Sequence, residues 1–326
     1  MILVTGSSGH LGEALMRLLG RRGVRAVGMD IKPGPFTHVV GSIAHPDLVA
    51  DVMAQGVTEV LHTATLHKPH VATHSRAAFV ETNVQGTLTL LEAARDVGVR
   101  RFVMTSTTSA FGAALVGRKG QAVWIDETVQ SVPKNIYGVT KTAAEDLCEL
   151  FHRRDGMEIV ILRTSRFFPE EDDSAAARAE WDDWNLKVNE FLHRRVDLLD
   201  AATAHLAALN ADVGFGRYVI SAPTPFKPTD LDALATDAAA LLRVRFPDAE
   251  ALFAARDWRL PPMLGRVYDS RLAQKELGWR PRITFAHLLL QMREGVALGS
   301  KLAREVGTKG YHDRIFERGP YPVEHG

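Results

Sequence analysis

Two hydrophobic periods alternate along the first half of this chain. Ile2-Leu3-Val4 is an unbroken apolar run, the pattern of a strand buried on both faces of a parallel sheet. Glycines at 6, 9 and 12 follow, and a helical pattern starts near His10. A second strand-like run, 24–30, ends in Asp30. Further strands are predicted at 38–40, 59–62, 101–105 and 158–162, with helices at 47–55, 76–97 and 136–153. Such alternation implies a parallel sheet with right-handed crossovers, whose ligands bind beyond the carboxyl ends of the strands.

The pattern changes after Arg163. An acidic stretch, Glu170-Glu171-Asp172-Asp173, precedes Trp181-Asp182-Asp183-Trp184. A helix at 200–209 and a strand at 218–221 read as returning to the sheet. From Pro223 the chain is proline-bearing and helical, with a short helix at 272–278 closed by Gly278-Trp279. The predicted fold is α/β, a doubly wound parallel sheet with a smaller, mostly helical C-terminal substrate lobe. Residues 1–165, with returning segments near 196–222, form the dinucleotide-binding part, and 166–326 form the lobe interleaved with it. The tail from Gly307, rich in Gly and Pro, reads as a loose arm or a dimer contact.

Composition changes this picture little. The chain has 326 residues and a formal net charge of zero, which gives no argument for nucleic acid or an anionic membrane as partner. Its single cysteine, Cys148, cannot form an internal disulfide and reads as a small buried hydrophobe on a helix. No apolar run reaches membrane-spanning length, and the first strand begins at the N-terminus, so no signal peptide and a cytoplasmic location are expected.

The candidate chemistry begins in the glycine turn. Gly6, Gly9 and Gly12 allow a tight turn and close backbone approach, so a pyrophosphate can reach the peptide N–H groups of Ser8, Gly9, His10 and Leu11 at the positive end of the helix. Asp30, at the end of the second strand, is placed to accept hydrogen bonds from adenosine ribose hydroxyls and to repel a 2′-phosphate. NAD is therefore expected over NADP, for which only Arg25 and Lys32 would speak.

Tyr137 and Lys141 stand four residues apart, on one face of a helix. A free phenol titrates near 10, too high for a good base at neutral pH. A nearby ammonium lowers that value, so Tyr137 can take a proton from a substrate hydroxyl while hydride leaves for a nicotinamide, or return it in reverse. Thr105-Ser106-Thr107-Thr108-Ser109 supply hydroxyls at the end of the 101–105 strand, and spacing does not choose among them.

In combination these motifs resemble the extended short-chain dehydrogenase/reductases, the Rossmann-type group that contains nucleotide-sugar epimerases and dehydratases. Asn83-Val84-Gln85-Gly86-Thr87, Phe111-Gly112, and Asp269 through Leu277-Gly278-Trp279 also carry the likeness. The resemblance implies that Thr107 is the catalytic hydroxyl, with Tyr137 and Lys141, and that Asn83 organises the active-site helix. It implies that Ser42, Ile43, Thr63, Ala64 and Thr65 line the cofactor, beside Tyr137 and Lys141. It assigns Arg259 to a sugar-nucleotide pyrophosphate, and it implies a homodimer through the helices at 76–97 and 136–153.

Departures narrow the reaction. The 4,6-dehydratases carry Asp-Glu directly after the catalytic threonine, whereas this chain has Thr108-Ser109 and no carboxyl acid or base there. A nucleotide-sugar 4-epimerase is the leading reading, and a dehydrogenase of a smaller carbonyl, polyol or acidic sugar is the alternative. A non-catalytic NAD-sensing protein is the third. Arg166 occupies a slot where the sugar-nucleotide enzymes usually have asparagine, so it is assigned to a substrate carboxylate or phosphate or to its acidic neighbours. An acidic loop there should point to solvent or bind a cation. His67, with Lys68, is expected near substrate. The cluster His62, His67, His70, His74 matches no ligand spacing, so no metal is expected. Arg194-Arg195 could clamp a phosphate or be structurally paired.

Overall fold

The computed structural model describes residues 1–118 and 120–310. The elements run β1 (Ile2–Thr5), α1 (His10–Arg21), β2 (Ala26–Asp30), β3 (Val39–Val40), α2 (Pro46–Met53), β4 (Glu59–His62), α3 (Arg76–Phe79), α4 (Gly86–Asp96), β5 (Arg101–Thr107), β6 (Val123–Ile125), α5 (Ile136–Asp155) and β7 (Glu158–Thr164). After these come α6 (Ala175–Glu180), α7 (Asp183–Glu190), α8 (Leu198–Asn210), β8 (Phe215–Ile220), α9 (Leu231–Arg245), α10 (Ala249–Ala254), β9 (Arg266–Tyr268), α11 (Arg271–Glu276), α12 (Phe285–Glu294) and α13 (Lys301–Val306).

Seven strands form one parallel sheet in the order β3-β2-β1-β4-β5-β7-β8. The period-2 geometry of a strand sends its apolar residues to both faces. Ile2, Val4, Val103 and Val160 pack with α1 and α8 on one side. Leu3, Phe102, Met104 and Ile161 pack with α2, α4 and α5 on the other. Burying a side chain such as Phe102 contributes about 1.5–3 kcal/mol, which is why these strands read as continuous apolar runs. Order reverses at β1, with β2 on one side and β4 on the other, so a crevice opens at its carboxyl end.

The mostly helical lobe has its own core. Val188, Phe191 and Leu192 of the α7 region meet Leu234, Phe253, Phe285, Leu288 and Val267. Helix α7 was not predicted; it starts within the Trp181–Trp184 stretch and buries Val188. A second, two-stranded parallel sheet pairs β6 with β9 and ties the lobe to the chain following β5.

The helix expected at 76–97 is interrupted. Val80–Gln85 form a π-helical turn between α3 and α4. Such turns insert one extra residue and re-aim side chains, often at functional sites. Here it buries Asn83. Helix α5 starts at Asn135, whose side chain accepts the Gly138 N–H, and ends at Gly156 with φ 69°. Its buried stripe includes Tyr137, Lys141, Glu145 and Cys148. Cys148 is buried, as its apolar helical setting implied.

Candidate active site

A cavity of about 1070 Å³ runs from the β1–α1 turn to the lobe. Gly6, Ser8, Gly9, His10, Leu11 and Gly12 line one end, with Asp30, Ser42 and Ile43 beside them and Thr63, Ala64 and Thr65 opposite. Gly6 has φ +73°, and a Cβ there would lie 2.8 Å from the Ala64 nitrogen. A Cβ on Gly12 would fall 1.9 Å from the Gly6 carbonyl oxygen, so only glycine lets α1 start this close to its turn. Gly9 brings no capping side chain to α1, and the first-turn amides are offered to a ligand. The Asp30 carboxylate accepts the N–H of Ser8 at 3.0 Å and of Lys32 at 2.8 Å, fixing an acid beside the turn. A diphosphate with a free ribose diol fits this donor and acceptor set.

The other end is built from β5 and α5, and the β5 hydroxyls differ in their partners. Thr105 bonds His205 Nε2 at 2.8 Å, and Ser106 donates to Glu145 at 2.5 Å. Thr107 lies beside the phenol of Tyr137, and its Oγ1 accepts the Ser109 N–H at 3.0 Å. Thr107 and Tyr137 both line the cavity, while Lys141 is fully buried one turn behind.

The electrostatics differ from the sequence expectation. Burial pushes the Tyr137 phenol up to about 12, offset only in part by the Thr107 hydroxyl beside it. Burial likewise brings Lys141 down to about 8, opposed by the negative charge of Glu145. Burial, and not the ammonium, therefore sets the phenol's shift. Glu145 is held in turn by Arg163, whose Nη2 lies 2.6 Å from its carboxylate. Neither Glu145 nor Arg163 was singled out by sequence; their signal was a carboxylate one turn beyond Lys141 and an arginine in an otherwise apolar strand.

Asn83 stands behind the lining. Its amide donates to the Leu66 carbonyl at 2.9 Å and to Thr140 Oγ1 at 3.0 Å, and its oxygen accepts Leu66 N–H and the Thr65 hydroxyl, each at 2.9 Å. It therefore positions the loop after β4 against α5 and touches no cavity surface. His67 lines the cavity, and its N–H donates to His70 Nδ1 at 3.1 Å. His62 is neutral: burial and then the Lys141 charge hold it well below its usual value, and its nitrogens meet Thr5 at 2.8 Å and Thr87 at 3.0 Å. Among the described residues no His, Cys, Asp and Glu group is placed to hold a metal ion.

The arginines divide. Arg166 lines the cavity but is ion-paired with Asp172 at 2.6 Å and Glu190 at 3.3 Å. Arg259 lies outside the lining: its guanidinium sits 4.2 Å over the Trp181 ring, pairs with Glu180 at 2.7 Å and is 56% exposed. Arg195 is buried against Glu190 at 2.7 Å, whereas Arg194 faces the cavity. Arg266 and Tyr268 of β9 line it as well, and sequence reading missed both. The only available signal was Val267 between them, an apolar residue flanked by two polar ones at strand spacing.

Three of the four residues of the acidic stretch, Glu170, Asp172 and Asp173, turn inward, while Glu171 stays exposed. The inward carboxylates are met by the chain's own cations: His10 Nε2 lies 2.8 Å from Glu170, Lys68 pairs with Asp173 and Arg166 with Asp172. The start of the tail is equally anchored. Lys309 donates its N–H to Glu170 at 2.9 Å and its ammonium to Glu13. The rest of that expected arm, 311–326, lies outside the described residues.

Comparison with known proteins agrees with this architecture. A UDP-glucose 4-epimerase of Rhizobium leguminosarum bv. trifolii is 31% identical over 172 residues, half of this chain and half of its own length. A uronate dehydrogenase of Pseudomonas putida is 29% identical over 178 residues, 52% of this chain and 62% of its own length. The chain thus matches these relatives over about half to three-fifths of their length. A solved short-chain dehydrogenase/reductase superfamily protein of Agrobacterium tumefaciens, crystallised with NAD, shares the fold at TM-score 0.65 and 24% identity, covering 94% of this chain and 99% of its own. The model of the NAD dependent epimerase/dehydratase family matches residues 2–220, more than half of the sequence. NAD is the cofactor of that family, and the cradle and Asp30 fit it. The chain belongs to the NAD dependent epimerase/dehydratase family, the extended short-chain dehydrogenase/reductase group its motifs resemble.

Proposed function

We propose that this chain is an NAD-dependent oxidoreductase acting on one carbinol of a sugar. The observation that carries the reading is that the Thr107 hydroxyl and the Tyr137 phenol line the same cavity as the glycine cradle. NAD, when bound, supplies the hydride acceptor. Thr107 and Tyr137 hold the substrate hydroxyl between them, so the reacting oxygen is oriented before the proton moves. Tyr137 takes that proton as the carbonyl forms, and gives it back in reduction. Lys141 stabilises the phenolate that accepts the proton in oxidation and remains after reduction, and Glu145 with Arg163 fixes the ammonium's surroundings.

Two substrate classes remain in view. Likeness to UDP-glucose 4-epimerases supports a nucleotide sugar that is oxidised and re-reduced. The geometry favours the alternative, a smaller acidic sugar. Arg259, the residue assigned to a sugar-nucleotide pyrophosphate, pairs with Glu180 outside the lining. This reading includes a homodimer through the α3–α4 and α5 faces, which expose Val80, Val139 and Leu150.

The test incubates purified protein with NAD and either UDP-sugars or uncoupled sugar acids and phosphates, following NADH absorbance and the sugar by NMR. Accumulating NADH with an oxidised sugar acid or phosphate supports the dehydrogenase. Isomerised UDP-sugar without free NADH supports the epimerase. No conversion in either arm contradicts an oxidoreductase of sugars.

A further inference from the structure

We propose that Arg266 and Arg194 form an anion subsite in the substrate end of the cavity, for the carboxylate or phosphate monoester of a sugar that carries no nucleotide. The inference rests on the reading above and names the chemistry of its substrate.

Backbone pairing places the two arginines together. Tyr268 N–H donates to the His193 carbonyl at 2.9 Å, and His193 Nδ1 bonds the Arg266 carbonyl at 3.1 Å. Strand β9 is thereby stitched to the segment that carries Arg194. Val267 turns into the lobe core, and the Arg266 side chain lines the cavity with Arg194.

The charges around them do not balance. Arg166, Arg194 and Arg195 share the single carboxylate of Glu190, at 3.3, 2.8 and 2.7 Å. Asp172 adds one carboxylate for Arg166, and Asp173 is already met by Lys68. Among the described residues five cations, counting Arg266, thus face three carboxylates. Among the described residues Arg266 has no carboxylate partner, and the buried Nε atoms of Arg194 and Arg266 have no hydrogen-bond acceptor. A buried guanidinium without a counter-charge is costly, and a planar oxyanion accepting from both forks would remove the cost. Burial first, then Arg194 and Arg266, keep His193 neutral, and burial lowers Arg266 itself, with Tyr268 and Glu190 opposing and Arg194 and Arg166 adding to the shift.

Competing acceptors are excluded by position. Arg259, which would hold a diphosphate, is occupied outside the cavity by Glu180. The anion subsite therefore belongs with the sugar, in the cavity that also holds Thr107 and Tyr137.

The experiment measures binding, separately from turnover. Protein loaded with NADH, which cannot accept a further hydride, is titrated calorimetrically with glucuronate, glucose 6-phosphate, UDP-glucose and glucose, for wild type, Arg266→Gln and Arg266→Lys. Glucuronate or glucose 6-phosphate binds wild type, and Arg266→Gln weakens that affinity by about tenfold or more. Arg266→Lys recovers part of it, and the melting temperature and NAD affinity of both variants stay at the wild-type level. The arm that responds distinguishes carboxylate from phosphate. Anion affinity unchanged in Arg266→Gln, or a wild type that binds UDP-glucose but neither small anion, overturns the subsite. A subsite that survives while Tyr137→Phe keeps full turnover would fail the proposed function alone.

Discussion

Asn83 Nδ2 donates to Thr140 Oγ1 at 3.0 Å, joining the π-helical turn to the middle of the segment that carries Tyr137 and Lys141. The same side chain holds both the carbonyl and the N–H of Leu66, so one amide sets the distance between the loop after β4 and helix α5. A regular α-helix through 80–85 would carry this residue on a different heading.

Replacing Asn83 by Ala leaves the Leu66 N–H without its acceptor and the Leu66 carbonyl with only the Thr65 hydroxyl. The expected cost is about 1–3 kcal/mol per unsatisfied group. Thermal unfolding should fall by several degrees, and kcat should drop more than the NAD Kd rises. An unchanged melting temperature would show that the bridge does not matter.

Much of this arrangement was legible in the sequence, and the reasons are specific. Ile2-Leu3-Val4, Asp30 and the glycine triplet could be read because each answers to backbone geometry within a few residues. Thr107 could not be chosen from its neighbours by spacing, because the choice is made by distant partners: His205 occupies Thr105, and Glu145 occupies Ser106. The inward turn of the acidic stretch was hidden for the same reason, since His10 and Lys68 lie far away in sequence. The phenol's upward shift was missed because a helical spacing shows who the neighbours are, and burial depends on everything packed around them.

Asp30 should govern cofactor choice. In Asp30→Asn an acceptor for the Ser8 N–H remains, but the charge that repels a 2′-phosphate is gone. The ratio of NADP to NAD affinity should rise by about tenfold or more, a change in charge-assisted hydrogen bonding. Titration of both dinucleotides by protein fluorescence checks this, and an unaltered ratio would remove Asp30 from the ribose site.

The pH dependence follows from the inverted pair. With Tyr137 near 12 and Lys141 near 8, the first proton leaves the pair with an apparent value of about 8. The form one proton short, shared between phenol and amine, accepts the carbinol proton. Oxidation measured as kcat/KM should therefore rise with pH and level off above about 8, while reduction falls over the same window. Lys141→Met removes the lower ionisation, so the rise should move toward the tyrosine's value near 12. A profile with its rise unmoved in that variant would assign the titration to another group.

The central claim is that the Tyr137 phenol moves the carbinol proton. Its most direct test is single-turnover oxidation of a sugar substrate by Tyr137→Phe, with NAD affinity measured on the same protein. The account predicts NAD binding within about threefold of wild type and a rate reduced by about 100-fold or more, the size of a lost general base. Wild-type turnover in Tyr137→Phe with NAD bound would contradict it.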